Sequence, residues 1–331
     1  MKFGAVLAVL LAALLHASPA TAASFDCAKA SSAREKTVCA DPQLSKTDEE
    51  IAAAYAAARA ALSPEGAEIM RKSQRSWLRF LGKACPEGDA VCLGPWFDDR
   101  AKFLAGAVTE KSGRTFLAAD EWTFIAPETP ARDAEDALPG ENAMRYRRQM
   151  SFRIDAPVSE GDKAFNAAVE KNRDDLWNGF DGDTTMNVSF TLNEATPDFV
   201  SLDIFEWQYP LGAAHGYGAA LHLNFRLDKA RPLAAAGIFA KEGWQKPLAD
   251  NALEELTLIF GEMGLFEGSE ETIAEMVANP DYWVVTKEGL GVNFPVYSVG
   301  PYAGGDHTVT TSWDQLQPWL ADDAVIGLTP D

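Results

Sequence analysis

Apolar residues recur with helical spacing through the first third of the chain. Between residues 45 and 62, one side of the predicted helix carries Ile51, Tyr55, Ala58 and Leu62. Ser63 and Pro64 then predict a new helix, with Ser63 as the N-cap and Pro64 in the first helical position. A second helix up to Gly88 and a third over about 90–106 complete the pattern. The first third therefore predicts a small helical module with a thin apolar core.

The pattern changes to the two-residue alternation of strands beyond residue 115. Strands are predicted at 116–125, 146–156, 186–193, 200–209, 219–227, 283–286, 292–297 and 308–312. Helices are predicted at 162–177, 244–260 and 313–320. Many strands with few helices favour an α+β domain, with an antiparallel sheet and helices packed on one face. The proline-rich segment 126–142 is typical of a mobile loop.

The N-terminal 22 residues have the pattern of a secretory signal peptide. Lys2 precedes an apolar run from Gly4 to Leu15, and 20–22 read Ala-Thr-Ala, an A-x-A cleavage site. The run is shorter than the roughly 18 apolar residues of a membrane span, and the alternative is a buried N-terminal helix. We predict cleavage near Ala22–Ala23 and a soluble periplasmic protein without a span in the mature chain. The predicted units are a signal peptide at 1–22, a helical module at 23–106, a linker at 107–114 and an α+β domain at 115–331.

The chain has four cysteines, at positions 27, 39, 85 and 92. Export permits disulfides, and four cysteines allow three connectivities. The spacing favours the local pairs Cys27–Cys39 and Cys85–Cys92, with crossed pairing as the alternative. The gaps are too long for the usual zinc-binding pairs, and a redox C-x-x-C motif does not occur. We therefore expect disulfides that stabilise the small helical core.

The net charge is concentrated in the second part of the chain. The sequence has 29 basic and 49 acidic residues, and its net charge is −20. Residues 24–108 contain 12 basic and 12 acidic side chains, whereas residues 109–331 contain 16 basic and 37 acidic ones. This excess serves solubility, or it creates a field that attracts a cationic partner. Nucleic acid and anionic membrane surfaces are poor partners for such a chain.

Motifs in the helical module resemble the N-terminal module of the LprI-type lysozyme inhibitors. The resemblance rests on Phe-Asp-Cys-Ala-Lys-Ala at 25–30, Glu-Lys-x-x-Cys-Ala-Asp-x-x-Leu at 35–44, Gln-x-x-Trp at 74–77, and Asp48, Tyr55, Cys85, Cys92 and Arg100. Leu81 stands where the family tends to have Arg. The resemblance implies a binding or inhibitory unit, and Trp77 is expected in the core rather than at a ligand.

The second part resembles the RsiV-like C-terminal domain of lysozyme-sensing anti-sigma factors. The matching stretches are Gly-Ala-Ala-His-Gly at 212–216, Asn-Phe-Arg-Leu at 224–227, Leu-x-Val-x-Phe at 290–294, Pro-Tyr-Ala-Gly-Gly at 301–305 and Trp-x-x-Leu-x-x-Trp-Leu at 313–320. The family's Gly-Gly-Ala-His occurs here as Gly-Ala-Ala-His. Signalling through sigma-factor release is not carried over, because the membrane span of those proteins is not found here.

The residues predict binding rather than catalysis. His215, His222 and His307 do not form a metal-binding pattern, and G-x-S-x-G does not occur. We predict no catalytic residue, no metal ligand and no cofactor. The candidate partner-binding residues are His215, Tyr217, Tyr302 and Asp306, because glycine-rich loops with tyrosines and little charge are typical of contact surfaces.

The hypothesis from sequence is an exported protein that sterically inhibits a cationic lysozyme-type muramidase. The alternative is a cell-envelope module that binds peptidoglycan or an envelope protein without inhibiting an enzyme. A third interpretation, an enzyme acting on peptidoglycan through Asp306 and His307, lacks a deacetylase motif.

Overall fold

A computed structural model describes residues 23–125, 145–177, 184–210 and 212–325. The predicted signal peptide and the predicted loop at 126–142 lie outside these residues. Among the described residues, no helix is long and apolar enough to cross a membrane.

Four helices form the N-terminal unit, and local sequence explains where they begin. They are α1 (Ala33–Ala40), α2 (Pro42–Ala61), α3 (Pro64–Ala84) and α4 (Ala90–Gly106). Ser63 caps α3 by accepting a hydrogen bond from the backbone N–H of Gly66, as the Ser63–Pro64 pair predicts. Ser32 and Glu35 form a reciprocal capping box on α1. Hydrogen bonds from the backbone N–H groups of Ser32 and Ser31 lower the pKa of the Glu35 carboxyl to about 2.

Both disulfides of the described chain lie in this helical unit. Cys27 pairs with Cys39 and Cys85 with Cys92, each with Cα atoms 5.8 Å apart. This is the local pairing that the spacing favours. Each bridge closes a short loop next to a helix end, so it fixes a position where the small core has few other contacts.

Seven of the described strands form one sheet in the order in which they occur along the chain. They are β1 (Val108–Lys111), β2 (Arg114–Ile125), β3 (Arg145–Ile154), β4 (Thr184–Ala195), β5 (Phe199–Pro210), β6 (Tyr217–Arg226) and β7 (Arg231–Pro232). Helix α5 (Glu160–Trp177) lies between β3 and β4 in sequence. The pair β3–β4 is parallel, with Arg148 opposite Asn187, and the other pairs are antiparallel.

A second sheet and two longer helices form the C-terminal part. They include α6 (Gln245–Phe260), α7 (Ser269–Ala278), β8 (Trp283–Val285), β9 (Gly289–Phe294), β10 (His307–Ser312) and α8 (Trp313–Leu316). The three strands pair in the order β10–β9–β8, all antiparallel. The fold class is thus as predicted: a disulfide-stapled helical region followed by a sheet-rich region with helices.

The segment 107–114 forms β1 and the turn into β2 rather than the predicted linker. Ala107 is buried and caps α4, and Ser112 and Gly113 turn the chain with positive φ angles of 52° and 73°. The polar composition that suggested a linker reflects the edge position of β1, since edge strands tolerate charged residues.

The helical unit and the large sheet share a core. Trp77, Phe80 and Leu104 from the helices pack in one cluster with Leu117 and Trp122 from β2. Trp122 stacks on Phe80, with ring centroids 4.7 Å apart. The division of the chain at 106 and 115 stays a prediction, and the apolar core extends across it from the helices to β2.

Candidate functional site

Two loops that are far apart in sequence meet at His215 and Tyr302. Their rings stack with centroids 4.7 Å apart and an angle of 29° between the planes. The Tyr302 hydroxyl donates a hydrogen bond to the Gly216 carbonyl at 3.3 Å, and His215 Nδ1 lies 2.9 Å from the same oxygen. Tyr302 and His215 are both exposed. The structure therefore brings together two of the four candidate partner-binding residues in one solvent-facing pair.

Glycines hold the Tyr302 loop against the end of α6. A Cβ atom at Gly300 or Gly304 would lie 2.1 Å from the ring of Phe260, so the loop can approach this ring only without side chains. Gly305 continues the turn with a φ of 85°. Close packing on a buried ring fixes the loop, and Tyr302 is thereby held at the surface.

The other two candidates lie beside this pair but have different contacts. Tyr217 follows Gly216 at the start of β6, and 45% of its surface is exposed. The exposed Asp306 accepts a hydrogen bond from the Asn293 side-chain amide at 2.7 Å, which links the loop to β9. Tyr217 is thus available for contact, whereas Asp306 also supports the loop.

Sequence reasoning missed Tyr297 at this surface. Its ring centroid lies 5.4 Å from that of Tyr302, and 60% of its surface is exposed. Its φ of 67° is rare outside glycine, so the loop holds this side chain in a constrained position. A cavity of about 490 Å³ between this loop and α7 is lined partly by Tyr297 and Tyr282. The tyrosine surface is therefore wider than the sequence indicated.

A row of aromatic side chains on β5 continues this surface across the sheet. Phe205, Trp207 and Tyr209 alternate on the strand and so face the same side. The Trp207 and Tyr209 rings are nearly parallel, with centroids 6.2 Å apart. A Cβ at Gly216 or Gly218 would lie 2.6 Å from the Trp207 ring or 2.5 Å from the Phe205 ring. The rings therefore extend over Gly216, just before β6, and Gly218, within it. The aromatic alternation and the Gly-x-Gly spacing could have indicated this feature.

The motif residues of the helical region have structural roles. Trp77 is buried, as expected. The Gln74 side-chain oxygen accepts a hydrogen bond from Arg100 Nε at 2.9 Å. Arg100 Nη1 donates in turn to Asp120 on β2 at 2.8 Å, and both side chains are fully buried. The Gln-x-x-Trp motif therefore anchors the helices to the sheet.

Asp120 is the centre of this buried network. It also accepts hydrogen bonds from Ser73 Oγ at 2.6 Å, Trp122 Nε1 at 2.8 Å and Arg148 Nε at 3.1 Å. Burial alone would raise the pKa of Asp120, but Arg100 and Arg148 outweigh it and hold the pKa below its usual value. The carboxylate is therefore ionised at neutral pH, with both oxygens satisfied.

The two other histidines of the described ranges, His222 and His307, are held by internal contacts. The buried His222 pairs through Nδ1 with Asp203 Oδ1 at 2.5 Å, and His307 Nε2 lies against the Gly304 carbonyl. Within the described ranges, no group of three or more His, Cys, Asp or Glu residues could hold a metal ion.

Comparisons with known proteins agree with both resemblances. Residues 27–109 match the family "Lysozyme inhibitor LprI", and residues 238–314 match "Protein of unknown function (DUF3298)". A search of curated proteins found no significant match.

Solved structures of two DUF3298 proteins are similar in fold to part of the chain. The protein from Bacteroides fragilis has 15% identity and a TM-score of 0.47, covering 66% of this chain and 98% of its own. The protein from Pseudomonas aeruginosa has 8% identity and a TM-score of 0.43, covering 63% and 94%. The family matches show that the chain contains an LprI domain at 27–109 and, at 238–314, a domain of DUF3298, the RsiV-like C-terminal domain family.

Proposed function

We propose that this protein is an exported binding protein that sterically inhibits a cationic lysozyme-type muramidase. The observation that carries the proposal is the match of residues 27–109 to the lysozyme inhibitor family. The protein acts in the periplasm, after loss of residues 1–22, and performs no catalysis of its own. Cell fractionation of the full-length chain tests the location, and a cytosolic full-length product would contradict it.

The exposed tyrosine loops are the proposed inhibitory surface, although they lie outside residues 27–109, because the motif residues Trp77 and Arg100 of the matched region are buried. Tyr302 and His215 form a fixed pair, and Tyr217 and Tyr297 widen it. Rigid aromatic side chains lose little conformational entropy on binding, which is why tyrosine is frequent among residues that dominate binding energy. The pair enters or covers the substrate cleft of the enzyme and blocks access for the cell-wall polymer.

The charge distribution supports a cationic partner. Residues 109–331 carry 37 acidic and 16 basic side chains, whereas the preceding helical region is neutral. Such a field accelerates association with a basic enzyme, and added salt weakens the attraction. We therefore expect inhibition that falls as the ionic strength rises.

The test uses the mature chain, residues 23–331, with egg-white lysozyme as the basic muramidase. Cell-wall clearing is measured by turbidity, and complex formation by calorimetry, at low and high salt. Full enzyme activity at a large molar excess, together with no heat of binding, would contradict the proposal. The domains are compared by point variants in the full chain, because Arg100 and Asp120 join them through a buried ion pair.

A second function, glycan binding in the cell wall, is favoured by the aromatic row on β5. Sugar rings place their C–H bonds on the negative faces of aromatic rings, and Trp207 and Tyr209 provide two nearly parallel rings. Binding of this kind involves no ion pair, so it is insensitive to salt. A cell-wall pull-down at two salt concentrations separates the two functions. If the glycan is the ligand, the wall retains the parent protein at both concentrations and no longer retains the Trp207→Ala variant.

A further inference from the structure

The end of α6 and the turn that leads to α7 expose several large apolar side chains. We refer to Leu258, Ile259, Met263 and Phe266 as the apolar turn. Their exposed fractions are 71%, 43%, 50% and 44%, respectively. All four lie within nine consecutive residues. Exposed apolar side chains grouped in this way are typical of interaction sites, whereas a single exposed residue is not.

Acidic side chains surround the apolar turn in sequence and on the helices. The exposed residues of this rim are Glu254, Glu255, Glu262, Glu267, Glu270 and Glu271. Glu254 and Glu262 lie four residues to either side of Leu258. No Lys or Arg occurs between Lys246 and Lys287, and no ion pair of the described residues involves the rim. The rim charge is therefore available to a partner.

The apolar turn is directly continuous with the Tyr302 loop. Phe260, the last residue of α6, follows Ile259 and is the buried ring on which Gly300 and Gly304 pack. The backbone N–H of Phe266 donates a hydrogen bond to the Val299 carbonyl at 2.9 Å. The two segments are thus held as one unit, and a partner seated on Tyr302 lies next to the apolar turn.

We infer that the apolar turn and its acidic rim are a docking surface for a basic protein, which they hold beside the Tyr302 loop. The inference rests on the proposed function and adds a second contact region to it. The partner surface has an apolar centre surrounded by Lys and Arg side chains. A second copy of this chain does not fit, because it would place two acidic rims against each other.

Two double variants separate the apolar and the charged contributions. Leu258→Ser with Ile259→Ser removes the exposed apolar centre, and Glu254→Lys with Glu255→Lys reverses part of the rim. These side chains are exposed, so the variants are expected to keep the thermal unfolding temperature of the parent protein. Matched controls are Val158→Ser, at a residue that is 87% exposed on the N-terminal side of α5, and Glu170→Lys on the exposed side of that helix.

Binding to egg-white lysozyme is measured by calorimetry at low salt and at about 0.5 M salt, where the Debye length falls to a few ångströms. We expect each double variant to raise Kd at low salt by about tenfold, and each control to change it less than about twofold. The loss caused by charge reversal should shrink at high salt, and the loss caused by the apolar variant should persist.

Each alternative outcome has a distinct meaning. If the parent protein binds and both double variants bind equally well, the docking surface is refuted and the proposed function stands. If the parent protein does not bind lysozyme at all, the proposed function fails, and the inference fails with it. If sedimentation shows a dimer that Leu258→Ser with Ile259→Ser dissociates, the occupant is a second copy and the inference is wrong.

Discussion

Replacing Asp120 by Asn should strongly destabilise the whole protein. The carboxylate accepts hydrogen bonds from Arg100, Arg148, Ser73 and Trp122. The Asn side chain has the same shape but keeps only one acceptor oxygen. Its NH2 group would face the donors that hydrogen-bond to the other carboxylate oxygen in the parent protein. The substitution also leaves the fully buried Arg100 guanidinium without its counter-charge.

The expected loss in unfolding free energy is about 3–5 kcal/mol, the usual cost of removing one partner from a buried ion pair. Domain stabilities are about 5–15 kcal/mol, so this is a large fraction of the total. The matched control is Asp175→Asn, since Asp175 pairs with Lys171 at 2.6 Å and its side chain is 62% exposed. Loss of that exposed pair should cost less than about 0.5 kcal/mol.

Urea unfolding followed by circular dichroism and tryptophan fluorescence measures both values. The two signals should change together, because the helices and β2 share one core. An Asp120→Asn protein within about 1 kcal/mol of the parent would refute the central role of the network. Separate transitions for the two signals would refute the shared core.

The pH dependence provides a second check on Asp120. Its pKa is lowered in the folded state, so its stabilising effect is fully present above the unfolded value of about 4. The effect is lost as the pH falls through the folded pKa. The stability gap between the parent and Asp120→Asn should therefore be constant at neutral pH and narrow only in acid.

Three further substitutions test other parts of the structure. Gly304→Ala should cost about 1–3 kcal/mol in unfolding free energy, because its Cβ would overlap the Phe260 ring; an unchanged melting temperature would contradict this packing. Cys85→Ala with Cys92→Ala should lower the unfolding free energy by about 2–3 kcal/mol, because the unfolded chain gains loop entropy. Urea unfolding measures this loss, and the reduced parent, which lacks both disulfides, should lose at least as much stability. Burial raises the pKa of the Glu206 carboxyl, so the ionised side chain destabilises the folded protein at pH 7. Glu206→Gln should therefore be more stable than the parent at pH 7 and lose this advantage below about pH 4. A larger advantage in acid would contradict this reasoning.

The helical region was predictable because its boundaries carry explicit signals. The Ser63–Pro64 pair and the breaks at Gly88 and Asp89 define α3 and α4 to within a few residues. Helix α1 was missed because eight residues with one buried side chain give little periodicity. Helix α7 was missed because it follows Gly268 without a side-chain cap.

The positions of most strands could be predicted from the sequence, but the way in which the strands pair was harder to predict. The parallel pair β3–β4 depends on a crossover through α5, and the strand–helix–strand order was a usable signal for it. The strand β1 was hidden by its polar sequence. Individual strand positions follow from alternation, whereas pairing depends on contacts between distant residues.

Part of the candidate site could be read from the sequence, because glycine-rich loops with tyrosines are recognisable. The stacking of His215 on Tyr302 could not be predicted, because the two loops are far apart in sequence. Gly216, the neighbour of His215, is 86 residues away from Tyr302. The buried partners of Arg100 were also hidden. A lone arginine in a helix gives no indication of which distant carboxylate it meets.

The shared core also limits the order in which the protein can fold when the chain emerges N-terminus first into an oxidising compartment. The two disulfides join residues 12 and 7 positions apart, so both can close as soon as residue 92 is available. Arg100 must wait for Asp120, and the second counter-charge of Asp120 arrives only with Arg148. Ser63 likewise meets its partner Asp155 only after 92 further residues have emerged. The early bridges therefore hold the helices in an incomplete form until β3 arrives, when the buried charges can be enclosed together.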